Sequence, residues 1–120
     1  MYNLVNNSIL GVYLMEIKTV VEAKQFNEER FTKIDMIKTR RSVAFMLNFL
    51  PGQDMRPHTH PDRELYLHVL EGSGMLSIDG KELEVNEGDV IYCEADEKIG
   101  FVNTSEDKVS IYVTMTKMDE

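Results

Sequence analysis

The chain has 120 residues, 42% hydrophobic and 28% charged, a balance that suits one globular domain and argues against disorder throughout. Its 13 Lys and Arg stand against 21 Asp and Glu, a formal net charge of −8, which argues against a phosphate-backbone binder, so no nucleic-acid partner is expected. All three histidines, His58, His60 and His68, fall between positions 58 and 68, which concentrates the metal-competent imidazoles in one place.

The first residues, MYNLVNNSILGVYL, carry no basic charge and are broken by Asn3, Asn6, Asn7 and Ser8. They match neither a secretory signal nor a membrane span, so residues 1–14 are expected to be a tail, or an extra strand laid on a partner. Residues 15–118 show no repeat or linker and are expected to form a single unit. In Thr19–Phe31 the apolar residues are sparse, and one helical turn at most is expected. Ser42–Leu50 is almost continuously apolar, with Val43, Phe45, Leu47 and Phe49 on one face, which suits a strand covered on both sides. Pro51-Gly52 then marks a turn.

Leu65–Leu70 reads as a second apolar strand, closed by the turn Glu71-Gly72-Ser73-Gly74. Met75, Ser77 and Asp79 alternate with Leu76 and Ile78 up to Asp79-Gly80, a strong hairpin signal, and Glu82–Val85 makes the return strand. Asn86-Glu87-Gly88-Asp89 turns the chain into Val90–Cys93. In Lys108–Met118, Val109, Ile111, Val113 and Met115 alternate with Ser110, Tyr112, Thr114 and Thr116. Many short strands with close turns predict an all-β sandwich or barrel. Cys93 is the only cysteine, so an intramolecular disulfide and a thiolate zinc cluster are excluded, and a reducing, cytoplasmic setting with no membrane contact is expected. Its apolar strand makes it a buried small side chain rather than a nucleophile.

The segment Pro57-His58-Thr59-His60-Pro61 carries the chemistry. Its prolines stiffen the backbone toward extended geometry. In an extended chain His58 and His60 share a face, about 7 Å apart along the strand. Two imidazoles so placed can meet one cation, although two ligands alone do not close a site. Arg56, beside them, is either a solvated surface residue or an attractor for an anionic ligand.

Here the chain resembles the cupin superfamily, whose small members are double-stranded β-helix barrels. The family's first motif is followed by Gly52-Gln-Asp-Met-Arg-Pro-His58-Thr-His60-Pro-Asp-Arg-Glu64, and its second lines up with Gly88, Glu94-Ala-Asp96, Ile99 and Asn103. The intermotif piece GSGMLSIDGKELEVNEGD is also similar, so the resemblance runs from about Arg41 to Met118. It implies an all-β cupin (jelly-roll) barrel over residues 15–118, with a divalent transition metal (Zn, Fe, Mn or Ni) inside it. His58, His60 and Glu64 are the ligands implied by the first motif. The motif position of the remaining histidine is Ile99, which has no lone pair to give, and Asn103 matches a position that is generally structural.

Glu64 is followed by one residue more than the motif allows before Gly72, so its face depends on a bulge. His68, four residues on, shares a face with Glu64 if no bulge intervenes and becomes a substitute ligand if that face is the interior. If Leu65, Leu67 and Val69 face the interior instead, His68 points outward with Tyr66. Three functions follow from the resemblance: a metal-dependent enzyme of dioxygenase or isomerase type on a small oxygenated substrate, a non-catalytic ligand-binding or sensory barrel, and a structural or partner-binding protein with a vestigial pocket. In each, a homodimer is expected, with Tyr112, Thr114 and Thr116 available for the contact.

Overall fold

A computed structural model describes residues 15–118, and the expectation for residues 1–14 lies outside the described residues. Among the described residues a single 3-10 turn, Val21–Ala23, leads into nine strands. They are β1 (Thr32–Lys38), β2 (Ser42–Phe49), β3 (Asp54–His58), β4 (Arg63–Glu71), β5 (Gly74–Ile78), β6 (Lys81–Val85), β7 (Val90–Cys93), β8 (Ile99–Val102) and β9 (Val109–Lys117). All pairings are antiparallel, giving a five-stranded sheet in the order β1-β2-β9-β4-β7 and a four-stranded sheet in the order β3-β8-β5-β6. The all-β expectation holds, and the fold is that of a double-stranded β-helix.

The core comes from period-two alternation. Phe45, Leu47 and Phe49 of β2, Leu65, Leu67 and Val69 of β4, and Val109, Ile111 and Val113 of β9 turn the same way and meet Met55, Leu76, Ile99 and Phe101 of the other sheet. Phe49 lies at its centre, stacked on Phe31 at 5.1 Å and tilted against Phe101 at 4.8 Å. β2 is covered on both sides, as its unbroken apolar run predicts, because Met46 and Asn48 on its other face are also buried. Asn48 Nδ2 donates to the Ala23 carbonyl at 2.8 Å, and Ser110 Oγ donates to Asn48 Oδ1 at 2.8 Å, so the N-terminal turn is tied down over that face.

The turn chemistry was legible. Asp79 (φ 52°) and Gly80 (φ 83°) both take left-handed geometry, as a two-residue hairpin between β5 and β6 requires. Three strands were not marked out from the sequence. β1 is half-buried and shifts register between Asp35 and Ile37, which blurs its alternation. β3 also shifts register between Met55 and His58, and β8 has only four residues, one of them Gly100. Among the described residues no helix is long and apolar enough to cross a membrane.

Candidate functional site

His58 is the last residue of β3, paired in register with Ile99 of β8, and His60 stands two residues on, before the Pro61-Asp62 turn. The two strands meet closely here. A Cβ on Gly100 would lie 2.9 Å from Pro57 Cγ and 3.0 Å from the Met55 carbonyl, so only glycine lets β8 approach β3 at this point. The imidazole centroids are 4.6 Å apart, edge to face. His58 Nδ1 bonds the Arg56 carbonyl at 2.8 Å, and because a carbonyl can only accept, Nδ1 carries a proton, which leaves Nε2 as the lone-pair nitrogen of the neutral ring. His60 Nδ1 is buried with no hydrogen-bond partner. Burial, and after it the neighbouring His58, Arg63 and Lys33, holds the His60 imidazole below the usual histidine range, which keeps it neutral and able to donate a lone pair.

Both rings line a chamber of about 120 Å³ at one end of the barrel, walled by Phe31, Phe45, Leu47, Met55, Leu65, Leu67 and Ile99, with Lys33 at its edge. Lys33 Nζ sits 4.4 Å from the Phe45 ring centroid and bonds Asp35 at 2.8 Å. At roughly 30 Å³ per water the chamber has room for a few waters or a short carbon chain.

Glu64 and His68 are not brought to this chamber. Leu65, Leu67 and Val69 take the interior face of β4, so Glu64, Tyr66 and His68 share the outer face of the five-stranded sheet. There Tyr92 donates to Glu64 Oε1 at 2.8 Å, which pushes the Tyr92 hydroxyl up to about 12. The rearranged set of three histidines and a carboxylate is therefore not assembled, and among the described residues no group of three or more His, Cys, Asp or Glu side chains is placed to hold one ion. Arg56 is exposed, and its part in the site is the carbonyl that orients His58. Ile99, in the place of the family's further histidine, is buried in the chamber wall opposite His58.

Two residues weighed from the sequence have structural roles. Asn103 is buried and uses its whole amide in hydrogen bonds that join β2 to the β8–β9 loop. Cys93 is 1% exposed, and burial, with Glu97 next in effect, pushes its thiol up to about 11. Native Cys93 is accordingly expected to react with a disulfide reagent at pH 8 on the order of 100-fold more slowly than the denatured chain. Rapid stoichiometric labelling of the folded protein would contradict that placement.

Comparison with known proteins agrees with this architecture. The cupin domain family (Cupin_2) matches residues 45–115. Over 63 residues the chain is 41% identical to the dimethylsulfoniopropionate lyase DddW of Ruegeria pomeroyi, a match covering 52% of this chain and 41% of the lyase's length. An uncharacterised protein of Aquifex aeolicus is 27% identical over 106 residues, 87% of each chain. The crystal structure of TT1209 from Thermus thermophilus superposes with a TM-score of 0.81 at 24% identity, over 88% of this chain and all of that one. With over half of its length inside the family's pattern and the same barrel in its structural neighbours, the chain belongs to the cupin domain family.

Proposed function

We propose that the protein binds a small molecule at the open end of its barrel, beside a divalent transition metal held by His58 and His60. The observation that carries this reading is His60 Nδ1, a buried ring nitrogen with no partner, set beside an imidazole whose own Nδ1 proton is already engaged. An unsatisfied buried polar atom costs about 1–3 kcal/mol, which a bound cation would remove. Neutral imidazoles suit Zn, Fe, Mn or Ni, and such an ion would supply a Lewis acid at the chamber mouth. The Arg56 carbonyl fixes the tautomer and ring plane of His58, the usual role of a residue behind a metal-binding histidine.

Two readings of the chemistry follow. The partial likeness to a lyase named for dimethylsulfoniopropionate favours an enzyme acting on a small oxygenated substrate. That two rather than three protein donors converge among the described residues favours a non-catalytic binding barrel. The expected homodimer would use the outer face of the five-stranded sheet, where Tyr66 and Tyr92 are exposed with ring centroids 5.0 Å apart. Light scattering that returned the 13.9 kDa monomer at micromolar concentration would overturn it.

Metal analysis of tag-free protein tests the central claim. The wild type is expected to take up about one divalent ion per chain, and His58→Ala/His60→Ala to lose it. Glu64→Gln and His68→Ala, on the outer face, are expected to leave metal content unchanged. A wild type that holds no metal and binds none on titration with Zn, Fe, Mn or Ni would refute the reading.

A further inference from the structure

Beside the barrel mouth lies a second recess, of about 400 Å³, whose wall carries Lys33, Lys38, Arg40, Arg41, Arg63 and Lys117. These are six of the 13 basic residues in a chain of net charge −8, and among the described residues Asp35 is the one acidic residue lining the recess with them. Among the described residues none of Lys38, Arg40, Arg41, Arg63 and Lys117 has a carboxylate within 4 Å.

Strand register makes this concentration costly. Arg63 of β4 stands directly opposite Lys117 of β9. Lys117 is in turn bound through its backbone N–H to the Arg41 carbonyl at 2.7 Å, and Arg41 Nη2 donates to the Lys117 carbonyl at 3.2 Å. Three cations therefore stand in a row from β4 across β9 to the turn that enters β2, an arrangement in which like charges oppose folding. Arg40 and Lys38 add to the same field from the β1–β2 turn and the end of β1. A recess lined by one sign of charge over an apolar floor concentrates the opposite ion, and guanidinium forks match the oxygens of a carboxylate or phosphate.

The recess adjoins the chamber, because His60 and Lys33 line both. We propose that the ligand is a small organic anion, its oxyanion held in the basic recess by the Arg41, Arg63 and Lys117 row and its short apolar chain running past His60 into the chamber. This rests on the reading of the chamber as a small-molecule site but not on the metal. Carboxylate and phosphate heads share the recognising chemistry, so both are tested.

Metal-free protein, stripped with a chelator, is titrated calorimetrically at low ionic strength with acetate, butyrate, succinate and inorganic phosphate. Butyrate is expected to bind about tenfold more tightly than acetate, since two further methylenes enter the chamber. Arg40→Gln/Arg41→Gln, in an exposed turn, is expected to weaken butyrate by at least about fivefold, as is salt at about 0.2 M. Lys81→Gln/Lys98→Gln, which removes the same charge elsewhere, is expected to leave it unchanged. Phosphate binding more tightly than either monocarboxylate would assign the head as a phosphate, and succinate binding more tightly than butyrate would assign a second carboxylate; both support an anionic ligand.

Several results would overturn the proposal. They are equal affinity for acetate and butyrate, equal loss in the two double variants, and no binding of any of the four anions. So would tighter binding of a 20-nucleotide single strand than of any small anion, which would make the recess a nucleic-acid surface. A shift from dimer to monomer in Arg40→Gln/Arg41→Gln without anion binding would make it a protein contact. The titrations use metal-free protein, so failure of the metal reading and failure of this one are separately visible.

Discussion

Replacing Ile99 with histidine is expected to raise divalent-metal affinity by at least about tenfold, from the level that two imidazoles support toward that of three. Ile99 is 1% exposed, lies in the wall of the chamber that His58 and His60 line, and pairs in register with His58. It stands at the sequence position that the resemblance aligns with the motif's further histidine. The apo variant bears a cost, because a polar ring in an apolar wall without a partner destabilises the fold by about 1–3 kcal/mol. The two effects have opposite sign. Ile99→His is thus expected to melt below the wild type in chelator and to be raised more than the wild type by saturating zinc or nickel, since binding to the native state alone adds stability. Ile99→Asn, similarly polar but a poor metal ligand, should show the loss without the recovery. If Ile99→His gains neither affinity nor metal-dependent stability, the lone pairs of His58 and His60 do not converge with position 99 and the proposed centre is misplaced.

The contrast between Ile99 and Glu64 shows what could be read from the sequence and what could not. His58 and His60 were legible as a pair because prolines flank them and two residues separate like faces of an extended chain. The structure brings their ring centroids to 4.6 Å, closer than the about 7 Å between alternate backbone positions of an extended chain, with His60 past the end of β3. The phase of β4 was not legible from the histidines. Between His60 and Arg63 the chain turns, with Arg63 N–H donating to the His60 carbonyl at 3.1 Å and Asp62 at φ 62°, and such a turn resets which side chains face inward. The apolar demand of Leu65, Leu67 and Val69 then decides the phase, and sends Glu64 and His68 outward. The basic recess was hidden for another reason. Its cations come from positions 33 to 41, 63 and 117, which meet only through the β1-β2-β9-β4 order, inside a chain whose overall composition is acidic.

The second large effect falls on stability. Asn103→Ala is expected to cost about 2–4 kcal/mol, because the amide is buried and every polar atom of it is engaged. Nδ2 donates to the carbonyls of Phe49 at 3.2 Å and Asp107 at 2.8 Å, while Oδ1 accepts from Ser105 N–H at 2.9 Å and Ser105 Oγ at 2.7 Å. The backbone of the same residue pairs with Gly52 N–H and the Gln53 carbonyl, both at 2.9 Å. One residue therefore joins the end of β2, the turn that enters the histidine-bearing strand β3, and the loop between β8 and β9. Alanine would remove the Nδ2 donor from the Phe49 carbonyl in the core, whereas the Asp107 and Ser105 groups lie nearer solvent and can be hydrated, which holds the loss below the sum of four bonds. For a domain of this size the melting temperature should fall by roughly 10 °C or more. Asn103→Asp separates the two halves of the network: it keeps an acceptor for Ser105 but faces two carbonyl oxygens with a carboxylate. At pH 7 it is expected to be at least as destabilising as alanine and to recover as the pH is lowered and the carboxyl regains a proton it can donate. A melting temperature within about 3 °C of wild type for Asn103→Ala would show that these hydrogen bonds do not hold the β2–β3 turn in place.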